Sequence, residues 1–140
     1  MDAVLIIGEH GEYPKNEFGQ TLYPRYEFFS AVTEVFRRSG RSVPVFSDKH
    51  LSTDWDRALE MVETSRELGF AFGAGSSLPC AWRMPAVDMP WGAEVVESVA
   101  VSSGGLDSGD IHALEMIQCM LERRKVRATI GIEADRAVWY

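Results

Sequence analysis

The sequence predicts an α/β fold, a parallel three-stranded layer with helices, followed by a smaller α+β part made of a strand, a helix and a hairpin. Three observations predict it. Apolar runs at residues 3–7, 42–46 and 70–73 are short and lack the alternation of a half-exposed strand, as strands buried inside a parallel sheet do. Segments with apolar residues at helical spacing separate them. Each run also stops at reactive side chains: Glu9 and His10 after the first, Asp48, Lys49 and His50 after the second, Ser76 and Ser77 after the third. Parallel strands place their C-terminal ends along one edge, where open α/β sheets bind ligands, so the three clusters are expected to share a crevice.

Taken in order, the first run leads into a polar, turn-rich segment, residues 8–23, long enough to cover strand ends as a lid or substrate loop. Pro24 suits the first turn of a helix, and Phe28, Ala31, Val32, Val35 and Phe36 fall at helical spacing before Ser39-Gly40, predicting a helix over 24–38. After the second run, Thr53 and Asp56 stand in capping-box relation ahead of Trp55, Leu59, Val62 and Leu68, and Gly69 closes this second helix. The third run passes into Gly73-Ala74-Gly75, then an irregular stretch with Pro79, Pro85 and Pro90 that excludes regular helix and central strand. Residues 93–101 alternate, Val95, Glu97 and Val99 against Glu94, Val96, Ser98 and Ala100, which predicts a strand ended by Gly104-Gly105. A helix over about 110–124 is expected next, opened by His112. Leu114, Ile117 and Leu121 are its buried stripe, and Arg123, Arg124 and Lys125 lie near the negative end of its dipole. Residues 126–132 and 137–140, joined by 133–136, read as a hairpin. The chain is expected to form one domain, 1–140, with parts 1–78 and 79–140.

Composition narrows the function classes. At 140 residues and 46% hydrophobic content the chain can bury an ordinary core. A net charge of −7 without an acidic tail argues against nucleic acid or an anionic membrane surface as partner. The N-terminal residues lack a basic stretch and their apolar run is too short for a signal peptide or a membrane span, so a cytoplasmic protein is expected. Cys80 and Cys119 form neither a disulfide framework nor a zinc signature and are expected to be reduced.

His10, His50 and His112 are the only histidines. Imidazole titrates near neutrality, so His112, with Glu115 one helical turn on to orient it, suits proton transfer; the alternative is a helix cap. Lys49, flanked by Asp48 and His50, can hold a substrate oxyanion, or be a solvated surface lysine, and Asp48 can serve only its turn. Arg83, beside Trp82 among prolines, can clamp a carboxylate or phosphate, or pair with a surface acid. Tyr13, Tyr23 and Arg25 flank the long loop and are weaker candidates of the same kind. Gly73-Ala74-Gly75 superficially resembles a dinucleotide fingerprint, but the third glycine is missing and proline follows where a helix should begin. Glu9 and the three histidines are possible metal ligands without the short spacing of a metal motif, so no metal is expected. Neither Ser76 nor Cys80 sits in a recognised nucleophile turn.

The order of these elements, with residues 43–51 reading Val-Pro-Val-Phe-Ser-Asp48-Lys49-His50-Leu51 and residues 110–115 reading Asp-Ile-His112-Ala-Leu-Glu115, resembles the second half of the glucose-fructose oxidoreductase, inositol dehydrogenase and MocA (Gfo/Idh/MocA) family. The first segment is similar to that family's strand ending in Glu-Lys-Pro, whose lysine lies near nicotinamide and substrate. The second is similar to its catalytic helix, whose histidine is the acid/base toward the substrate hydroxyl. Gly8-Glu9-His10-Gly11, residues 75–79, Trp82-Arg83, Gln118-Cys119 and residues 122–125 further resemble a group of bacterial proteins related to it.

The resemblance implies a truncated Rossmann-like layer in which Lys49 and His112 hold the central roles. Family members begin with a β-α-β unit bearing the glycine-rich dinucleotide loop, which this chain is expected to lack. His50 replaces the motif's proline, and Ser108 and Asp110 stand where aspartate and glycine are usual. No cofactor is therefore expected, NAD(P) entering only if a partner supplies the missing half. A short parallel sheet also leaves an open edge, which implies a homodimer or a partner subunit across it. The expected function is acid/base chemistry (isomerisation, elimination or cyclisation) on a polar hydroxylated or carbonyl metabolite. His112 would transfer the proton and Lys49 stabilise the oxyanion, while Glu9, His10, Asp48, His50, Ser76, Ser77, Arg83 and Tyr13 would contact substrate. The alternatives are a subunit of a split NAD(P)-dependent oxidoreductase and a non-catalytic binding module.

Overall fold

The computed structural model describes residues 1–8, 11–103 and 105–125, with backbone alone at 106–107, 132–133 and 138–139. The chain divides into two compact units, Met1–Gly75 and Ser76–Tyr140. In the first, β1 (Val4–Ile6), α1 (Arg25–Ser39), β2 (Val45–Asp48), α2 (Trp55–Glu67) and β3 (Phe72–Gly75) follow one another. The strands form an all-parallel sheet in the order β1-β2-β3, with Val4, Val45 and Phe72 in one register row and Leu5, Phe46 and Gly73 in the next. This is an α/β architecture, as the alternation of apolar runs and helical spacing predicts.

The second and third strands begin two to three residues later than the apolar runs do. Pro44 has no N–H to give to a ladder, and its carbonyl instead accepts from Val4 N at 2.9 Å, so regular pairing in β2 starts at Val45. The ladder then continues through the polar Ser47 and Asp48 to pair Asp48 with Gly75. Gly73, Ala74 and Gly75 are thus strand residues, and β3 runs two residues past the end of the apolar run. The Phe46 ring lies over Gly73, where a Cβ would come within 3.2 Å of it.

The core lies on one face of this sheet. Ile6 and Val45 from the strands, Phe29 and Phe36 from α1, and Met61 from α2 form its centre with Val43 and Phe70. Phe70 packs edge-on to Phe36 at 5.3 Å, and Phe29 lies 5.1 Å from Phe72. Both helices are rotated from the sequence-derived stripes. α1 buries Arg25, Phe29, Thr33 and Phe36 and exposes Phe28 and Val35, while α2 buries Met61, Thr64 and Ser65 and exposes Trp55 and Leu59. The hydroxyls make this possible: Thr33 Oγ1 donates to the Ser30 carbonyl at 3.1 Å and Ser65 Oγ to that of Val62 at 2.7 Å, so neither enters the core unsatisfied.

Helix ends follow local chemistry. Asp54, not Thr53, caps α2, its carboxylate accepting from Arg57 N at 2.9 Å. Gly40 and Gly69 end the two helices at φ 66° and 67°, where a side chain would be strained. Phe70 N bonds Ser65 O and Gly69 N bonds Arg66 O, the paired return of a Schellman motif. Between the helices, Tyr26 OH donates to Glu60 at 2.7 Å and Arg57 lies 3.0 Å from Glu27.

In the second unit, a 3₁₀ turn (Leu78–Cys80) precedes α3 (Leu106–Leu121), and β4 (Ile132–Glu133) pairs antiparallel with β5 (Val138–Trp139), the expected hairpin pairing. Residues 126–131, 134–137 and 140 of that expected hairpin lie outside the described residues. The strand expected over 93–101 is not formed. Among the described residues only Ala93 makes a bridge, to Arg124, and Val96, Val99 and Val101 are exposed, so the alternation meets no described neighbouring strand. α3 starts four residues before the expected position: the Gly105 carbonyl accepts from Gly109 N at 2.7 Å, which places His112 in the second turn and not at a cap. Gly109 obscures this start because glycine is a poor helix former. The stripe Leu114, Ile117 and Leu121 is only partly buried, and Ala113 is the buried apolar side chain of α3 among those described. Arg124 Nη1 donates to Leu121 O at 2.8 Å, as the basic cluster at the helix end predicts.

Met61 is fully buried, so Met61→Ala is expected to destabilise the chain by about 2 to 5 kcal/mol, read as a lower urea midpoint. The hydrogen bond to Glu60, then burial and the negative charge of Glu60, raise the Tyr26 pKa. A raised pKa holds the proton more tightly in the folded chain, so this contribution is complete below the phenol's ordinary range and is lost as pH rises through the folded value. Tyr26→Phe is expected to be less stable at neutral pH and to lose less stability on alkaline titration by circular dichroism.

Candidate functional site

The end of β2 carries the first group of candidate residues. Asp48 closes the strand, and Lys49 and His50 follow, joined by a cis peptide bond. Lys49 is buried, at 6% exposure. Arg25, the first residue of α1, is more deeply buried at 1%, and its Nη2 lies 3.9 Å from Asp48 Oδ2. A charge removed from water needs an opposing charge or an electron-rich partner. Arg25 has both, since its guanidinium also sits 4.3 Å from the centroid of the Tyr23 ring. Tyr23 in turn meets Tyr13 edge-on at 5.4 Å and His50 at 6.3 Å.

Within the first unit the structure therefore brings Tyr13, Asp48 and His50 into one cluster organised by Arg25 and Tyr23, with Lys49 in the chain between two of them. Arg25 and Tyr23 are weak candidates from sequence, yet they hold this cluster together. The available signal is the position of Arg25 on the stripe of Phe29, Thr33 and Phe36, which an apolar-only count passes over. Glu9 and His10 lie outside the described residues.

The second unit begins with Ser76, which is buried. Its Oγ stands 2.6 Å from His112 Nδ1 and accepts from Leu78 N at 3.0 Å. The turn that directs the chain into the 3₁₀ segment thus also fixes the hydroxyl, and α3 delivers the ring to it. The residue that meets His112 is Ser76 rather than the expected Glu115. Ser77 is exposed, and its carbonyl accepts from Cys80 N at 3.1 Å. Arg83 takes a different environment: Nη1 bonds the Asp88 carboxylate and Nη2 donates to Cys119 Sγ at 3.2 Å. The second oxygen of Asp88 lies 3.3 Å from Arg123 Nη2. Sequence reading misses Asp88 and Arg123, because Asp88 sits in an irregular segment and Arg123 reads as one more cation at a helix end.

The chemistry available at Ser76 and His112 follows from the hydroxyl. Oγ has one hydrogen and, after Leu78 N, one remaining acceptor position. It can donate to an unprotonated Nδ1, which leaves Nε2–H as a hydrogen-bond donor, or accept from Nδ1–H, which leaves Nε2 as a base that becomes an acid once it has taken a proton. A carboxylate partner would favour only the second arrangement.

Among the described residues no three His, Cys, Asp or Glu side chains gather as ligands for a metal ion. No helix among them is long and apolar enough to cross a membrane. The glycines at 73 and 75 do not fit a dinucleotide: they are paired strand residues, and the chain leaves β3 through the three-residue turn Leu78–Cys80, which offers a pyrophosphate no helix N-terminus of useful length. No family model, no curated protein and no solved structure matches the chain.

Removal of the Ser76 hydroxyl is expected to move the ¹⁵N resonance of His112 Nδ1 more than that of Nε2 in Ser76→Ala, with a loss of about 1 kcal/mol in stability. Equal displacement of both nitrogens would show that Ser76 does not hold the ring.

Proposed function

We propose that the chain is a small-molecule enzyme working by acid/base chemistry on a polar hydroxylated or carbonyl metabolite, by isomerisation, elimination or cyclisation. The observation that carries this reading is the 2.6 Å contact between buried Ser76 Oγ and His112 Nδ1. A hydroxyl that accepts from Nδ1–H leaves Nε2 able to take a proton in one step and, from the imidazolium so formed, to return it in the next. That is the requirement of an isomerase, whose single group serves both directions. In the first unit, Asp48, Lys49, His50 and Tyr13 at the end of β2 offer oxygen and nitrogen groups suited to an oxygen-rich ligand.

The resemblance of residues 43–51 and 110–115 to the Gfo/Idh/MocA family is consistent with this role for His112. The order β1-α1-β2-α2-β3 in a parallel sheet supports a truncated Rossmann-like origin for the first unit. On this reading the enzyme is cytoplasmic and uses no nicotinamide of its own. It works as a homodimer, or with a partner subunit, joined along an outer strand of the sheet; β1 and β3 each present one such edge.

The test is incubation of the full chain in D₂O with a panel of sugar-like hydroxy and keto acids and ketoses, followed by NMR for deuterium incorporation or isomer formation. Wild type is expected to exchange one member of the panel, with the rate falling about 10² to 10⁴-fold in His112→Ala. Exchange undiminished in that variant, or no exchange of any member by wild type, would overturn the reading.

A further inference from the structure

The Ser76–His112 pair leaves unused two hollows of the second unit. Two cavities of about 440 and 400 Å³ share Pro79, Trp82, Arg83 and Val87 in their walls. Each is within the size range of small-ligand sites. Their chemistry is uneven. The smaller is walled by apolar and sulfur-bearing side chains, among them Leu78, Met84, Met116, Cys119 and Met120. The larger adds Asp88 and Arg123.

Charge is unbalanced at the larger cavity. One carboxylate, Asp88, is engaged by two guanidiniums, Arg83 at one oxygen and Arg123 at the other. The remaining contacts of both arginines bring no second negative charge: Arg83 Nη2 meets Cys119 Sγ, Arg123 Nη1 donates to Met89 O at 3.3 Å, and the Arg123 guanidinium lies 5.3 Å from the centroid of the Trp91 ring. Among the described lining residues one positive charge is left over, in a chain whose net charge is −7. Both side chains are two-thirds buried, so solvent screens that surplus less than it would at an open surface.

The geometry points to a binding site here for a monocarboxylate with an apolar body. Its carboxylate would take the surplus guanidinium charge of Arg83 and Arg123, in the planar fork that suits a two-oxygen anion. Its hydrocarbon part would lie against the unbranched, adaptable methionines 84, 116 and 120. Trp82 is fully exposed and Met84 nearly so, although both line the cavity, and an occupant would take part of that apolar surface out of water. A single surplus charge and mostly apolar walls disfavour a phosphate dianion. Met116 and Cys119 follow His112 by four and seven residues on one face of α3, so the site continues the stripe that carries the imidazole. Binding does not depend on the acid/base reading.

Phenylacetate and its neutral isostere phenylacetamide separate charge from shape on the unaltered chain, with Trp fluorescence and calorimetry as readouts. Phenylacetate is expected to saturate, with the amide at least about tenfold weaker. Asp88→Asn, which removes the internal competitor for the guanidiniums, is expected to tighten phenylacetate several-fold, and Arg83→Gln to weaken it about tenfold. Equal affinity for acid and amide, no saturation by phenylacetate at millimolar concentration, or weaker binding in a folded Asp88→Asn variant would overturn the assignment. Because the comparison of the two probes needs no variant, misfolding of Arg83→Gln leaves it decisive.

Discussion

Parallel pairing of the central strand β2 on both sides is the constraint from which the first unit follows. A strand with neighbours on both edges must satisfy its amides and carbonyls in two ladders at once, so its register is set twice, against Val4 to Ile6 and against Phe72 to Gly75. Alternation then decides the fate of each side chain: Val45 and Ser47 turn to the helices, and Phe46 turns to the opposite face, over Gly73. The same pairing carries the strand to Asp48, so the charged residues that follow emerge at the C-terminal edge. There the buried guanidinium of Arg25 meets a carboxylate that the ladder holds in place.

Burial of polar groups recurs as the device that shapes both units. Thr33 and Ser65 face the core with their hydroxyls turned back onto their own helices, which lets α1 and α2 present stripes that are not purely apolar. Ser76 uses the same chemistry differently. Its hydroxyl is anchored by Leu78 N and faces an imidazole from a helix about thirty residues on, so a local turn and a long-range contact meet at one atom. Asp88 performs the equivalent task for charge by engaging two arginines from separate segments. At Ser76 and Asp88 a short polar side chain outside the helices organises longer ones.

The proton-transfer reading and the cavity reading draw on different physics. The first depends on a hydrogen bond that leaves one ring nitrogen available. The second depends on an excess of positive charge beside an apolar hollow. They share α3, whose second turn bears His112 and whose third and fourth turns bear Met116, Cys119 and Met120. A helix that starts at Leu106 instead of residue 110 therefore changes what His112 is: an interior residue with a partner, not a cap.

By itself the sequence determined the α/β class, the parallel layer and the presence of Asp48, Lys49 and His50 at a strand end, because apolar run length, helical periodicity and glycine or proline punctuation are local properties. It also located both helices of the first unit to within a residue. Which face each helix buries was decided only by tertiary structure, since Arg25, Thr33, Thr64 and Ser65 enter the interior through partners that no periodicity of apolar residues reveals. The alternating residues 93–101 failed to become a strand for the converse reason: pleating needs a neighbour, and none of the described residues supplies one beyond Ala93. The partners Ser76 for His112 and Asp88 for Arg83 and Arg123 likewise belong to the fold. The contacts Ser76–His112 and Asp88–Arg123 join residues 36 and 35 positions apart, so they depend on where the chain returns, and sequence spacing does not encode that.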